Sequence, residues 1–337
     1  MIRDLVTLPK AHLHLHFTGS MRHSTMLELA EQHGVRLPEQ LRDSRPLDLE
    51  ATDERGWFRF QRLYDTARTV VQTEADVRRL VQEAAEDDAA EGSGWLELQV
   101  DPSTYARHLG GLTPTVELIL DAAAAATRAT GVGIGLVIAA NRTRHPFDAR
   151  TLARLAARYA GAGVVGFGLS NDERRGRARD FERAFDIARR AGLAALPHGG
   201  ELGGPAEVRD CLRNLRAHRI GHGVRAVEDP ALLEELAVTR VTLEVCPSSN
   251  VAMGVAADPA AVPLRTLRAA GVPVALGADD PLLFGARLVE QYRIARKWHE
   301  CTDADLAALA RDSVEASLAP EDVKARLRAG IVAWLAD

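Results

Sequence analysis

Cysteine, lysine, aromatic residues and long apolar runs are all scarce in this 337-residue chain. Its three cysteines, Cys211, Cys246 and Cys301, are odd in number and lack paired spacing, which excludes a disulfide framework and suits a reducing compartment. No apolar run reaches the roughly 18 residues of a membrane span, and Met1 to Lys10 holds no apolar signal segment. Lysine occurs only as Lys10, Lys297 and Lys324, and the arginines are interleaved with acids to a formal net charge of -5. A basic stripe for nucleic acid is therefore absent. These exclusions leave a cytoplasmic protein whose partner is a small molecule.

What is present is a 46% hydrophobic chain, long for one domain unless the fold is a barrel. Eight short apolar or β-branched runs alternate with Ala/Leu/Arg-rich helical patterns: 11–17, 95–100, 132–140, 163–169, 193–198, 218–222, 240–246 and 272–277. That alternation predicts an α/β fold, a closed (β/α)8 TIM barrel spanning 1–337 as one domain. A helical insertion follows strand one and further helices follow Thr302. Thr73 with Asp76 forms a helix-start signature for 73–90, and other helices are expected at 57–69, 205–217, 229–237 and 263–270.

Within the first run the sequence reads Leu-His-Leu-His-Phe (13–17). Alternate residues of a strand share a face, so His14 and His16 project together, about 7 Å apart, in a spacing suited to chelating a divalent metal, zinc above all. Taken singly, a strand histidine is more often a satisfied core residue. Barrel active sites, however, sit where the strands end. His14 and His16 close strand one, His198 closes strand five with Glu201 just beyond, His222 closes strand six, and Asp279 and Asp280 follow strand eight. Gly199, Gly200, Gly221, Gly223 and Gly277 flank them, as expected where backbone turns tightly or approaches a ligand.

The chain resembles the adenosine deaminase family of the metal-dependent amidohydrolase superfamily. The resemblance rests on Pro-Lys-Ala-His-Leu-His-Leu-His-Phe-Thr-Gly-Ser (9–20), Leu-Ser-Asn-Asp-Glu (169–173), His-Gly-Gly-Glu (198–201), Arg-Ile-Gly-His-Gly (219–223), Glu-Val-Cys-Pro-Ser-Ser-Asn (244–250) and Asp-Asp-Pro-Leu (279–282). It implies one zinc ion per chain, held by His14, His16, His198 and Asp279. His12 reads as a solvated polar residue on the same face, one pair deeper in the barrel.

The chemistry of these groups gives each a role. Three imidazoles and one carboxylate leave a position for water, whose pKa zinc lowers from about 15.7 towards 7. Replacing a ring amine also requires a proton on the adjacent ring nitrogen, which Glu201, three residues past His198, is placed to deliver. His222 is expected to orient the water, and Asp279 to assist as proton acceptor. The resemblance gives Asp280 to the purine N7.

Two departures from the family bear on the substrate. Thr18 stands where adenosine deaminases carry an Asp for the ribose 5′-hydroxyl, and Asn171 stands where a Gly backbone meets purine N3. Thr18, Asn171, Asp280, Gly200 and Phe58 are the expected substrate contacts. The resemblance points to a hydrolytic deaminase of a 6-aminopurine nucleoside, first 6-aminodeoxyfutalosine of menaquinone biosynthesis, with adenosine and adenine as alternatives. That first substrate carries a carboxylate, for which Arg142 or Arg174 would be the partner. Trp57, Phe60 and Tyr64 share one helix face, as a core stripe or as a cover over the sugar. The rival readings are a metal-dependent phosphoesterase and a non-catalytic zinc-binding protein.

Overall fold

The computed structural model describes residues 3–43 and 52–336. Eight parallel strands run in sequence order: β1 (Lys10–His16), β2 (Ser93–Val100), β3 (Gly133–Asn141), β4 (Val164–Ser170), β5 (Ala194–Gly199), β6 (Arg219–His222), β7 (Thr242–Val245) and β8 (Val274–Leu276). The sheet closes on itself beyond β8, where the Asp279 N–H donates to the His14 carbonyl and the His16 N–H to the Asp279 carbonyl, at 2.9 and 3.0 Å. This is the expected (β/α)8 barrel, with helices between the strands.

Boundaries follow local chemistry. The helix Glu74–Ala90 starts at Thr73, whose side chain and that of Asp76 satisfy each other's backbone N–H groups in a capping box. β7 begins at Thr242 rather than Arg240 because Arg240 sits at φ 57°, ending the helix Pro230–Thr239. The helix from Pro205 stops at Arg213, and Leu215 and Ala217 turn back onto Asp210 and Cys211. Among the described residues, no helix is long and apolar enough to cross a membrane.

A bulge in β1 overturns the expectation for His12. His12 pairs with Leu96 but Leu15 pairs with Leu98, so β1 spends one extra residue between them and its side-chain alternation changes face. His12 is consequently buried rather than solvated. Its Nδ1 lies 2.9 Å from Asp88 on the helix Glu74–Ala90, and its Nε2 accepts the Ala278 N–H at 3.1 Å.

A polar chain fills the barrel below the histidines. Glu97 accepts from Trp95 Nε1 and from Arg219, Arg219 Nε donates to Glu244 at 2.6 Å, and Glu244 receives His14 Nδ1 at 2.9 Å. Glu97, Arg219 and Glu244 are all within 2% of full burial. Burial alone would push the Glu244 carboxyl up, but Arg219 and His14 bring it down to about 2. Replacing Arg219 with Met leaves two buried carboxylates without their cation. We expect a loss of about 3–5 kcal/mol in stability, read from urea unfolding; a change below about 1 kcal/mol would show that the ion chain does not hold the barrel interior together.

Candidate metal centre and active-site cleft

The barrel brings the sequence-predicted polar residues to one mouth. His14 and His16 reach it from β1, His198 from β5, His222 from β6, Glu201 from the loop after β5, and Asp279 and Asp280 from the loop after β8. Small residues make the approach feasible. A Cβ on Gly221 would stand 2.9 Å from His14 Cε1, one on Gly277 2.6 Å from His14 Cβ, and one on Gly19 within 1.9 Å of Asp280. Six non-glycine residues among those described have positive φ, and three of them, Asn171 (83°), His222 (62°) and Asp279 (61°), line the cleft. Strain concentrated at one mouth is the pattern of a functional site.

The donor set fits a divalent metal. Hydrogen bonding of His14 Nδ1 to Glu244 assigns the ring proton to that side and turns the Nε2 lone pair to the mouth, where it is buried without a hydrogen-bond partner. His16 Nε2 and His198 Nε2 face each other at 3.1 Å, and Asp279 Oδ1 lies 3.2 Å from His16 Nε2 and 3.6 Å from His14 Nε2. Ligand atoms of His14, His16 and His198 fall within 4.8 Å of one another. Lone pairs turned on one another in a buried site, with a carboxylate against them, call for a shared cation. Ser249 Oγ donates to Asp279 Oδ2 at 2.6 Å and fixes that carboxylate.

Charge is unevenly distributed among these groups. Burial opposes positive charge on His14, but the Asp279 and Glu244 carboxylates favour it and lift its pKa to about 10, so a cation bound at Nε2 would take the place of a proton there. Burial, then repulsion from His14, His16 and His222, drives His198 well below its ordinary value, and burial is the main cause that brings His222 down to about 3. Burial likewise pushes Asp279 up, yet the His14 and His16 imidazoles hold it well below the usual carboxylate range. Glu201 moves the other way. Burial, with the negative Asp279 and Glu173 nearby, raises it well above the usual range, and Asp280 is raised by burial and by Asp279. Two of the carboxyls are thus biased towards their protonated form and the third towards its ionised form.

The cleft is lined by the histidines, Glu201, Asp279 and Asp280 together with Thr18, Tyr64, Arg68, Asp101 and Tyr105. Thr18 and Asn171 line it as expected, but their polar groups are engaged: Thr18 Oγ1 with the Tyr105 hydroxyl, Asn171 Nδ2 with Gln61 at 2.9 Å. Four residues expected at the substrate lie outside the cleft lining. Gly200 lies off the cleft lining and its N–H donates to Glu173. Phe58 is 48% exposed under the Arg175 guanidinium, because its position on the helix Glu54–Arg68 turns it away while Trp57 and Phe60 face in. Arg142 is buried against Glu207 and the His198 carbonyl. Arg174 is bound to Asp172 and the Thr52 carbonyl, outside the lining.

Sequence reasoning also passed over Glu244, Ser249 and Glu173. Glu173 accepts the N–H groups of Gly200, Glu201, Leu202 and Gly203, holding the loop that carries Glu201. All three lie inside the segments 169–173 and 244–250 that marked the family resemblance, which was the available signal. Replacing Glu244 with Gln should weaken metal binding by about 10- to 100-fold, measured by competition with a chelator, since the His14 partner loses its charge. Unchanged affinity would remove Glu244 from the metal centre's support.

The sequence profile described as adenosine deaminase matches residues 9–334. A Streptomyces virginiae protein provisionally named adenosine/adenine deaminase is 67% identical over 99% of this chain and 98% of its own length. An adenine deaminase of Rhizobium leguminosarum is 35% identical over 96% and 98% respectively. The crystal structure of an adenine deaminase from Arthrobacter aurescens superposes with a TM-score of 0.88 at 30% identity, covering 98% of this chain and 99% of that one. With a metal-ready histidine cluster at the mouth and a family match across the barrel, the chain belongs to the adenosine deaminase family, hydrolases of carbon–nitrogen bonds.

Proposed function

We propose that this chain is a zinc-dependent hydrolytic deaminase converting a 6-aminopurine nucleoside to its 6-oxo product and ammonia. The preferred substrate on this reading is a 5′-extended nucleoside of the 6-aminodeoxyfutalosine kind, consumed on the way to menaquinone. The observation that carries the chemistry is the approach of Glu201 Oε2 to His222 Nε2, 3.7 Å apart, beside the histidine cluster, where burial raises the carboxyl and lowers the imidazole. His14, His16, His198 and Asp279 would hold the ion. When bound, it supplies Lewis acidity that brings water towards ionisation at neutral pH.

The chain's own groups do the rest. Glu201 donates its proton to the ring nitrogen beside the attacked carbon, which lets that carbon accept a new bond to oxygen. His222 Nε2, 4.0 Å from Asp279 Oδ2, orients the attacking water. The Asp279 carboxylate takes one proton from that water and returns it to the amine, the carbon–nitrogen bond breaks with ammonia as leaving group, and the proton left on the new oxygen restores the Glu201 carboxyl as the 6-oxo, N1–H product forms. Asp280 holds its proton and its Oδ1 has no hydrogen-bond partner, so it can donate to the acceptor N7. The Asn171 backbone N–H is the proposed donor to N3. Trp57 and Phe60 exclude water over the sugar, strengthening these electrostatics.

The preference for a 5′ substituent is supported by Thr18. Its hydroxyl is already bound to Tyr105 and offers no carboxylate to a free 5′-hydroxyl, while the cleft continues beyond it. A second reading, free adenine, is favoured by the adenine deaminases at 35% and 30% identity. Rates on 6-aminodeoxyfutalosine, adenosine and adenine decide between them. We expect them to fall in that order, and faster turnover of adenine would favour the second reading. Thr18→Asp should raise adenosine turnover relative to 6-aminodeoxyfutalosine, and no rise would remove Thr18 as the selector. Glu201→Gln should keep the metal and lose at least about 10²-fold in kcat. Because the reaction needs the Glu201 proton, kcat should fall as pH rises through its raised pKa; a pH-independent kcat on the alkaline side would assign the proton donor elsewhere.

A further inference from the structure

The cleft is longer than the reaction requires. Beside the groups proposed to handle the base, its lining includes Thr18, Tyr64, Arg68, Asp101, Thr104 and Tyr105. Arg68 is the single lysine or arginine among the residues lining the cleft. It ends the helix Glu54–Arg68, and that helix position turns the guanidinium back over the Tyr64 ring, 4.7 Å from its centroid, instead of into solvent. Its Nη1 meets Asp65 at 3.0 Å, on a carboxylate that is 52% exposed, while its Nε is buried with no hydrogen-bond partner. A buried, unpaired guanidinium donor is costly unless something occupies it.

We infer that Arg68 forms the anion-recognising end of the cleft, selecting 6-aminopurine nucleosides whose 5′ side carries a carboxylate or a phosphate. This deepens the reading proposed above and rests on it. Tyr64 and Tyr105 stay protonated because burial raises both phenols, so they can add donors but no competing charge. Two acids bear on this wall: Asp280, whose charge acts on Tyr64 and Arg68, and Asp101, whose Oδ1 already accepts the Ser103 N–H and hydroxyl, at 3.0 and 2.6 Å. An arginine fork suits either oxyanion by paired N–H donors. The other arginines that the sequence suggested for this task are occupied, Arg142 by Glu207 and Arg174 by Asp172.

The test measures kcat/KM of the full chain loaded with zinc on adenosine, adenosine 5′-carboxylic acid, adenosine 5′-monophosphate and 6-aminodeoxyfutalosine, for wild type, Arg68→Gln and Arg68→Lys. The ratio of each preferred anionic substrate to adenosine should drop about 10-fold or more in Arg68→Gln, the size expected for one charge-assisted hydrogen bond. Arg68→Lys should restore part of it. Whether the carboxylate pair or the monophosphate shows the drop identifies the anion. Should Arg68→Gln fail to fold, added salt serves instead: KM for the anionic substrate must rise with ionic strength in wild type while that for adenosine stays level. An unchanged ratio, or equal salt responses, overturns the Arg68 assignment alone. Absence of deamination with all four nucleosides in wild type overturns the proposed function, and the Arg68 assignment with it.

Discussion

The site depends on the grip that two carboxylates exert on His14. Glu244 holds its Nδ1 from inside the barrel and Asp279 stands against its Nε2 at the mouth. That grip fixes which ring nitrogen carries the proton and where the free lone pair points. It extends downward through Arg219 to Glu97, so the orientation of one imidazole is set by three further side chains from three other strands. A buried ion chain of this kind gains little net stability over well-packed apolar residues. What it supplies is a single geometry, which a ligand nitrogen needs and an apolar core would not enforce.

The same burial that makes the chain costly sorts the protons around it. Glu201, Asp279 and Asp280 are all carboxyls in one enclosed mouth, yet the histidines hold Asp279 ionised while burial and its negative charge keep Glu201 and Asp280 protonated. One base and two acids thus arise from identical chemistry by placement alone. Glu173 contributes from behind, gathering four backbone N–H groups of the loop 200–203 and so fixing where Glu201 stands. On the proposed function, a hydrolytic attack on an aminated ring would use that division of roles.

Much of this was legible in the sequence, for identifiable reasons. Strands ending in His or Asp next to glycine mark both the barrel's periodicity and its mouth, so the eight strands, His14, His16, His198, His222, Asp279 and the Thr73 capping box could be read directly. The family match bears out the deaminase class and leaves the phosphoesterase and non-catalytic readings without support. His12 could not be read, because a bulge shifts the face of a strand without altering its alternating pattern. Phe58 lies outside the lining because adjacent aromatics on a helix point in different directions. Arg142 lies outside it because a long side chain can reach a buried acid as easily as a ligand. Glu244 is marked only by the family segment 244–250, and its contact with His14 spans 230 positions.

The most direct test of the central claim is a crystal structure of the purified chain with zinc, with anomalous scattering recorded on both sides of the zinc edge. The account predicts one strong peak per chain, enclosed by His14, His16, His198 and Asp279, with Glu244 still bound to His14 Nδ1. A peak placed elsewhere, or none among these four side chains, would contradict it.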